Sequence, residues 1–247
     1  MTQNIQKLVA YIRGTLTDLS SPPPDSAYEY ASIGLCAIDA VFSLGVRYES
    51  TERTVREWCA RYGWEMSRAR TDRERTITEF LQVLQPYENC WEDMARKVFN
   101  NCQRTSTRSG ILKAEAVYRF CRVLQDFGIE NFADVLKDGR REDLRREIKA
   151  IPGQGTGLSF NYFLILAGNT DAVKADRMVT RFVANALAVR NVPQAIAETL
   201  VREASAVLRP EFPNLTPSLL DNKIWNFQRK QDEKPSAPCL VRAVEMQ

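Results

Sequence analysis

The sequence predicts an all-α protein. Apolar residues recur at three- and four-residue spacing through nearly the whole chain, the period of a helix with one buried face. Proline, glycine or a short hydroxyl-rich stretch bounds each such segment, as helix ends require. No two alternating segments are joined by a hairpin turn, and no fixed-period repeat is present.

The elements follow in order. Residues 3 to 13 form a short amphipathic start, closed by the breaker "SSPPPDS" at 20 to 26. "AYEYASIGLCAIDAVFSLG" reads as a buried helix ending near Gly45. "STERTVREWCARYG" carries its own capping serine or threonine and stops at Gly63. Further helices are expected at 72 to 85, 90 to 102 and 112 to 127, the last closed by Gly128. Short pieces at 131 to 137 and 141 to 150 lead to "IPGQGTG". Beyond it, 157 to 167, 176 to 190, 193 to 208 and 216 to 228 carry the helical period. Residues 231 to 247 are rich in proline and charge and read as a flexible tail.

Composition narrows the chemistry. The 247 residues, 44% hydrophobic and 26% charged, suffice for one or two packed domains. No run is long and apolar enough to span a membrane, and the first residues lack the pattern of a signal peptide, so a cytoplasmic protein is expected. The six cysteines are dispersed without a C-x-x-C pair, which reads as free thiols. Histidine is absent altogether. Catalysis through Ser-His-Asp or Cys-His pairs and the usual His-containing metal sites are thereby excluded. A net charge of +3 does not by itself announce a nucleic-acid partner.

The stretch Ile151-Pro152-Gly153-Gln154-Gly155-Thr156-Gly157 stands between two helical segments. Pro152 ends the first helix, and Gly153 and Gly155 permit positive φ angles and close approach of another backbone or a phosphate. Amides opening the second helix then form an anion site. The alternative is a tight turn whose glycines serve packing alone.

Downstream, "LRREIKAIPGQGTGLSFNYFLILAGNTDAVKADRMVTRFV" resembles the helix-hairpin-helix DNA glycosylases, the superfamily that includes endonuclease III, adenine glycosylase and 8-oxoguanine glycosylase. The family's hairpin L-P-G-x-G is matched by residues 151 to 155, its catalytic aspartate by Asp176, and a recurring arginine by Arg181. "RSGILKAEAVYRFCRVLQDFGI" is similar to the family's helix that begins around a lysine-alanine pair, here Lys113 and Ala114. Helix order agrees over roughly residues 28 to 228, of which about 30 residues carry the specific signal. The resemblance implies a two-lobed fold with a cleft near Asp176. One lobe spans 29 to 168 and ends in the hairpin, and a second is built from 1 to 28 plus 169 to 230. Gly157 stands where bifunctional members carry their Schiff-base lysine, and the four clustered cysteines of the iron-sulfur members are missing. A monofunctional enzyme without an iron-sulfur cluster or organic cofactor is therefore expected, with K⁺ or Na⁺ at the 151 to 155 hairpin as the one ion the resemblance suggests.

Asp176 suits the chemistry, because breaking an N-glycosidic bond builds positive charge on deoxyribose, which a fixed carboxylate stabilises. Asp is equally a good N-cap for the helix it opens. Lys174, on the same loop, is a second candidate, as nucleophile, as phosphate contact or as an ordinary surface lysine. Gly153, Gln154, Gly155, Thr156 and Gly157 are expected to hold a DNA phosphate, with Arg177 and Arg181 assisting. The loop "GVRYEST" places Arg47 and Tyr48 where such proteins wedge into the duplex, and Asp221 and Trp225 of "LLDNKIWNFQR" face the base pocket or the core. Tyr162 and Phe163 read as core residues. The expectation is a monomer acting on double-stranded DNA with a flipped base, cytoplasmic and nucleoid-associated when acting. It leaves an abasic site, and the base removed is not legible. The rivals are a non-catalytic helix-hairpin-helix DNA-binding module, a bifunctional glycosylase-lyase using Lys174, and a helical protein-interaction domain.

Overall fold

The computed structural model describes residues 2–21, 29–107, 109–137, 139 and 141–233. The flexible tail expected at 231 to 247 lies outside the described residues from 234 onward, as do residues 22 to 26 of the proline breaker and Cys239. Among the described residues the chain is all-helical, with no strand and only two isolated bridges, Tyr30 with Ser67 and Arg104 with Leu112. In order the helices are α1 (Gln3–Thr15), α2 (Ile33–Phe42), α3 (Tyr48–Tyr62), α4 (Ile77–Leu84), α5 (Trp91–Asp93, running into a π turn Met94–Val98), α6 (Lys113–Asp126), α7 (Phe132–Lys137), α8 (Arg141–Ala150), α9 (Leu158–Leu166), α10 (Arg177–Leu187), α11 (Gln194–Leu208) and α12 (Pro217–Glu233).

Several boundaries differ from expectation for local reasons. α2 is shorter than its apolar run, starting at Ile33 and ending at Phe42, because Tyr30 is held in the bridge and Ala31 bonds Met66. α3 begins at Tyr48 with Arg47 as an extended N-cap and no side-chain cap, so Ser50 and Thr51 lie inside the helix rather than before it. The segment expected as a loop at 45 to 51 is therefore already helical from Tyr48. α4 starts at Ile77 instead of 72, with Thr76 and Glu79 closing a capping box. The helix expected at 90 to 102 ends at Val98 in the π turn. α10 ends at Leu187, where Ala188 takes a left-handed conformation at φ 56.

The buried apolar residues form two clusters. The first runs from Tyr30 to Ala172 and centres on α2, every residue of which is buried and which packs on α3, α6 and α9. Trp58 anchors it, stacking on Phe80 and Phe99 at centroid distances of 4.5 and 5.4 Å. The second joins Ile5 to Leu19 with Val173 to Ile224, so that α1 packs on α10 and α11. Both ends of the described chain thus build one core. The chain passes from the first cluster to the second at Ala172–Val173, immediately before Lys174.

Candidate functional site

A cleft of about 630 Å³ is lined by residues from the two stretches of chain that build the two clusters. From the first stretch come the α2–α3 loop, Tyr48, Leu158 and Tyr162, of which Tyr162 is itself a member of the cluster. From the second come Lys174, Asp176, Arg177, Met178 and one face of α12 with Asp221, Asn222, Trp225 and Arg229. Six residues singled out in the sequence thus meet in one cavity with Lys174: Arg47, Tyr48, Asp176, Arg177, Asp221 and Trp225.

Asp176 is the N-cap of α10, as its position in the sequence requires. Its Oδ1 accepts the backbone N–H groups of Met178 at 2.8 Å and Val179 at 3.3 Å. Lys174, expected in the simplest reading on the surface, is instead half-buried in the cleft wall. Its Nζ lies 3.5 Å from the centroid of the Tyr162 ring and donates to Ser43 Oγ at 3.2 Å. Burial pulls this ammonium below the ordinary lysine range, against the opposing pull of Asp176, Asp39 and Asp221.

Asp39 was not foreseen. It sits at the middle of the wholly buried α2, where its Oδ2 accepts hydrogen bonds from Tyr30 at 2.9 Å and Tyr162 at 3.3 Å. Burial raises its carboxyl to about 6, opposed first by Lys174 and then by the two phenols. Tyr48 is pushed up to about 12, by burial and then by Asp39. Tyr162 therefore links floor and wall: its hydroxyl meets Asp39 while its ring carries Lys174, a role beyond the core packing it shares with Phe163.

Asp221, on α12, is 7% exposed, and among the described residues its Oδ1 has no hydrogen-bond partner. A backbone N–H of Lys174 donates to its carboxyl. Burial first, and the neighbouring Asp176 second, push this carboxyl well above the usual range. At the cleft mouth Arg229 pairs with Glu49 of α3 at 2.9 Å and lies over the Trp225 ring at 5.6 Å.

The loop ahead of α6 is fixed by a lysine that is buried outright. Lys113 is 2% exposed and donates to the oxygens of Phe42 at 2.9 Å, Leu44 at 2.8 Å and Gln103 Oε1 at 3.4 Å. It thus caps the carboxyl end of α2 and holds the start of the loop that carries Arg47. Burial lowers this ammonium to about 8.

The hairpin lies outside the cleft lining. Its left-handed residues are Gly153 at φ 86 and Gly157 at φ 75, so the second expected position, Gly155, is displaced by two residues. The Gln154 amide donates to Ile151 O and that of Gly157 to Gln154 O, both at 2.9 Å. Gly155 and Thr156 are exposed, and among the described residues their amides meet no acceptor. Gln154 turns its side chain inward and is fully buried, so that side chain is not a phosphate contact. Arg181 is likewise spoken for, donating to Gln228 at 2.9 Å and pairing with Asp232 at 2.7 Å across to α12. A smaller cavity of about 360 Å³, lined by Asn169, Thr170, Asn214, Thr216 and Ser218, shares Asn222 with the cleft. Among the described residues no three carboxylate or thiol groups converge as a metal site.

The arrangement defines an all-helical chain with a charged, aromatic-walled cleft at the junction of its two cores. The chain belongs to a family described as a domain of unknown function (DUF8548), which matches residues 6–229 and so includes every residue of the cleft. No curated protein and no solved structure matches it.

Proposed function

We propose that this protein is a monofunctional DNA glycosylase that hydrolyses the N-glycosidic bond of a damaged or modified base in double-stranded DNA, leaving an abasic site. The convergence of Asp176, Lys174, Tyr48, Asp221 and Trp225 in one cleft, a hairpin of free amides outside it, carries the reading. In it, the two apolar cores are the two lobes of a helix-hairpin-helix glycosylase, and a flipped nucleotide enters between them. The Gly155 and Thr156 amides hold a phosphate of the strand, with exposed Arg177 nearer the sugar. Arg47 fills the space the base leaves. Asp176 faces the anomeric carbon, where its carboxylate stabilises the developing cation and orients the attacking water. A monovalent cation at 151 to 155 would have backbone oxygens to hold it. Two of these, on Ile151 and Gln154, already accept turn amides, and the reading does not require the ion.

One observation favours a second reading, a glycosylase-lyase. Lys174 lies inside the cleft with its ammonium destabilised by burial, the condition under which a lysine becomes a nucleophile. A single experiment separates the two readings. Duplexes carrying alkylated, oxidised, deaminated or bulky modified bases are incubated with the wild type, Asp176→Asn and Lys174→Ala, with and without borohydride, and abasic sites and covalent complexes are counted. Hydrolysis predicts base release by the wild type that Asp176→Asn loses, with nothing trapped. A trapped complex absent from Lys174→Ala assigns the lyase. DNA binding without base release by any form leaves a phosphate-binding module.

A further inference from the structure

Two cleft carboxyl groups are placed in opposite surroundings. Asp176 is gripped at Oδ1 by two backbone donors at the start of α10, where only an acceptor is satisfied. Asp221 approaches from α12 as a lining residue of the cleft, 7% exposed, with Oδ1 buried and, among the described residues, without a donor. A buried acceptor without a donor is destabilising, so a fold that retains one beside a cavity invites a ligand group there. Swapping its charge for a proton removes most of that cost and turns the oxygen into a donor.

We infer that Asp221 is the general acid of the cleft: it delivers a proton to a ring nitrogen of the departing base while Asp176 serves the sugar side. This rests on the glycosylase reading and specifies its substrate class as bases that leave only when protonated, the neutral purines and pyrimidines. The step balances as follows. The C1′–N bond breaks and its electron pair goes to the base nitrogen, which takes the proton of Asp221. Water adds to C1′, and Asp176 accepts the proton that water loses. Proton exchange with solvent then restores Asp221 as the acid and Asp176 as the base. The same division of labour between two carboxyls, one held protonated and one ionised, runs glycoside hydrolysis.

The charged neighbours agree with the assignment. Burial first and Asp176 second raise the Asp221 carboxyl, Lys174 on the intervening loop and its amide pull it down, and Glu198 on α11 adds the smallest upward push. The remaining charged groups of the cleft lining, Arg47, Arg177 and Arg229, come from the α2–α3 loop, α10 and α12, and the phenols of Tyr48 and Tyr162 complete its titratable set.

The test uses the whole chain. Carbon-13 labelling of aspartate carboxyls, with Asp221→Asn to assign the signal, reads the protonation of Asp221 in the free protein. Base release is then followed for the wild type and Asp221→Asn on two kinds of duplex. One kind carries neutral modified bases, and the other carries 7-methylguanine, which is already cationic and leaves without a proton. The expected result is an Asp221 carboxyl protonated at neutral pH and a loss of about 10²- to 10⁴-fold with neutral bases, the usual contribution of a general acid. Release of 7-methylguanine stays within a few-fold of wild type. An Asp221 signal that titrates like a free aspartate overturns the assignment, as does equal loss on both kinds of base in a folded variant, or no loss at all. If the wild type releases none of these bases, the glycosylase reading falls and the assignment with it; base release by the wild type together with a freely titrating Asp221 overturns the assignment alone.

Discussion

Replacing Gly153 by alanine tests whether the hairpin is held by steric fit rather than by its sequence motif alone. Gly153 has φ 86, and an added Cβ would lie 2.2 Å from Thr105 Cβ and 2.5 Å from Thr105 Oγ1. The left-handed backbone costs a non-glycine residue about 1 kcal/mol and the overpacking a further 1 to 3 kcal/mol, together about 2 to 4 kcal/mol. Thr105 cannot swing away, because the obstructing atom is its Cβ, and its backbone is tied through its amide to Ile111 O at 2.9 Å. Gly155 is the internal control. Its Cβ would find only Lys149 O at 3.9 Å, and its φ is not positive, so Gly155→Ala is expected to be neutral or to stabilise by up to about 1 kcal/mol. Urea unfolding with a constant m-value measures both. In a chain of this size the Gly153 variant should melt roughly 4 to 16 °C lower, at about 2 to 4 °C per kcal/mol. Equal stability of the two variants would refute the reasoning, since the motif alone makes the two glycines equivalent and only the Thr105 contact separates them. Thr105→Gly in the Gly153→Ala background should recover part of the loss.

Two buried charges give pH-dependent expectations of opposite sign. Lys113 has a folded value of about 8 against 10.5 for a free lysine, so the unfolded chain binds more protons between them and stability rises with pH across that window. Relative to Lys113→Met, the wild type should gain up to about 3 kcal/mol from pH 8 to 10.5, less whatever its three accepting oxygens return to the charged form. Denaturation at several pH values measures it, and a flat difference would show the ammonium to be fully compensated. Asp39, raised from 3.8 to about 6, works the other way: the folded chain binds more protons in that interval, so stability falls as pH rises through it. Against Asp39→Asn the wild type should lose up to about 3 kcal/mol between those values. No loss would mean that Tyr30, Tyr162 and Lys174 hold the carboxylate as well as water does.

Helix order was legible because a 3.6-residue apolar period and its breakers are local properties. Gly63 and Gly128 do end their helices in the left-handed conformation, and Asp176 does open α10. What local pattern cannot carry is the partner of each polar side chain. Ser50 looked like a cap, yet Thr51 is buried inside α3. Lys174 looked solvated, since nothing nearby in the chain reveals that Tyr162 and Ser43 wait for it across the cleft. The inward turn of Gln154 depends on the protein interior closing over the hairpin, which no motif encodes. A signal for Asp39 did exist: a lone carboxylate inside the apolar run "IGLCAIDAVF" has to be buried, and a buried carboxylate needs donors. Lys113 gave a weaker signal, since it opens a helix whose dipole disfavours a cation there and so needed acceptors elsewhere.

The division of the cores has a consequence for the order of assembly. The first cluster draws on one uninterrupted stretch, Tyr30 to Ala172, and can close as soon as that stretch leaves the ribosome. Helix α1 is made earlier, yet its partners α10 and α11 follow only after the whole of that stretch. Its apolar face must therefore wait uncovered through the synthesis of the intervening chain and then close a long loop, a slow and entropically costly step. The nascent protein thus exposes Ile5, Leu8, Val9 and Ile12 for most of its synthesis, a natural point of engagement for a chaperone. Until that helix docks, the second core lacks the side chains that α1 contributes to it, while the hairpin stands complete in the first.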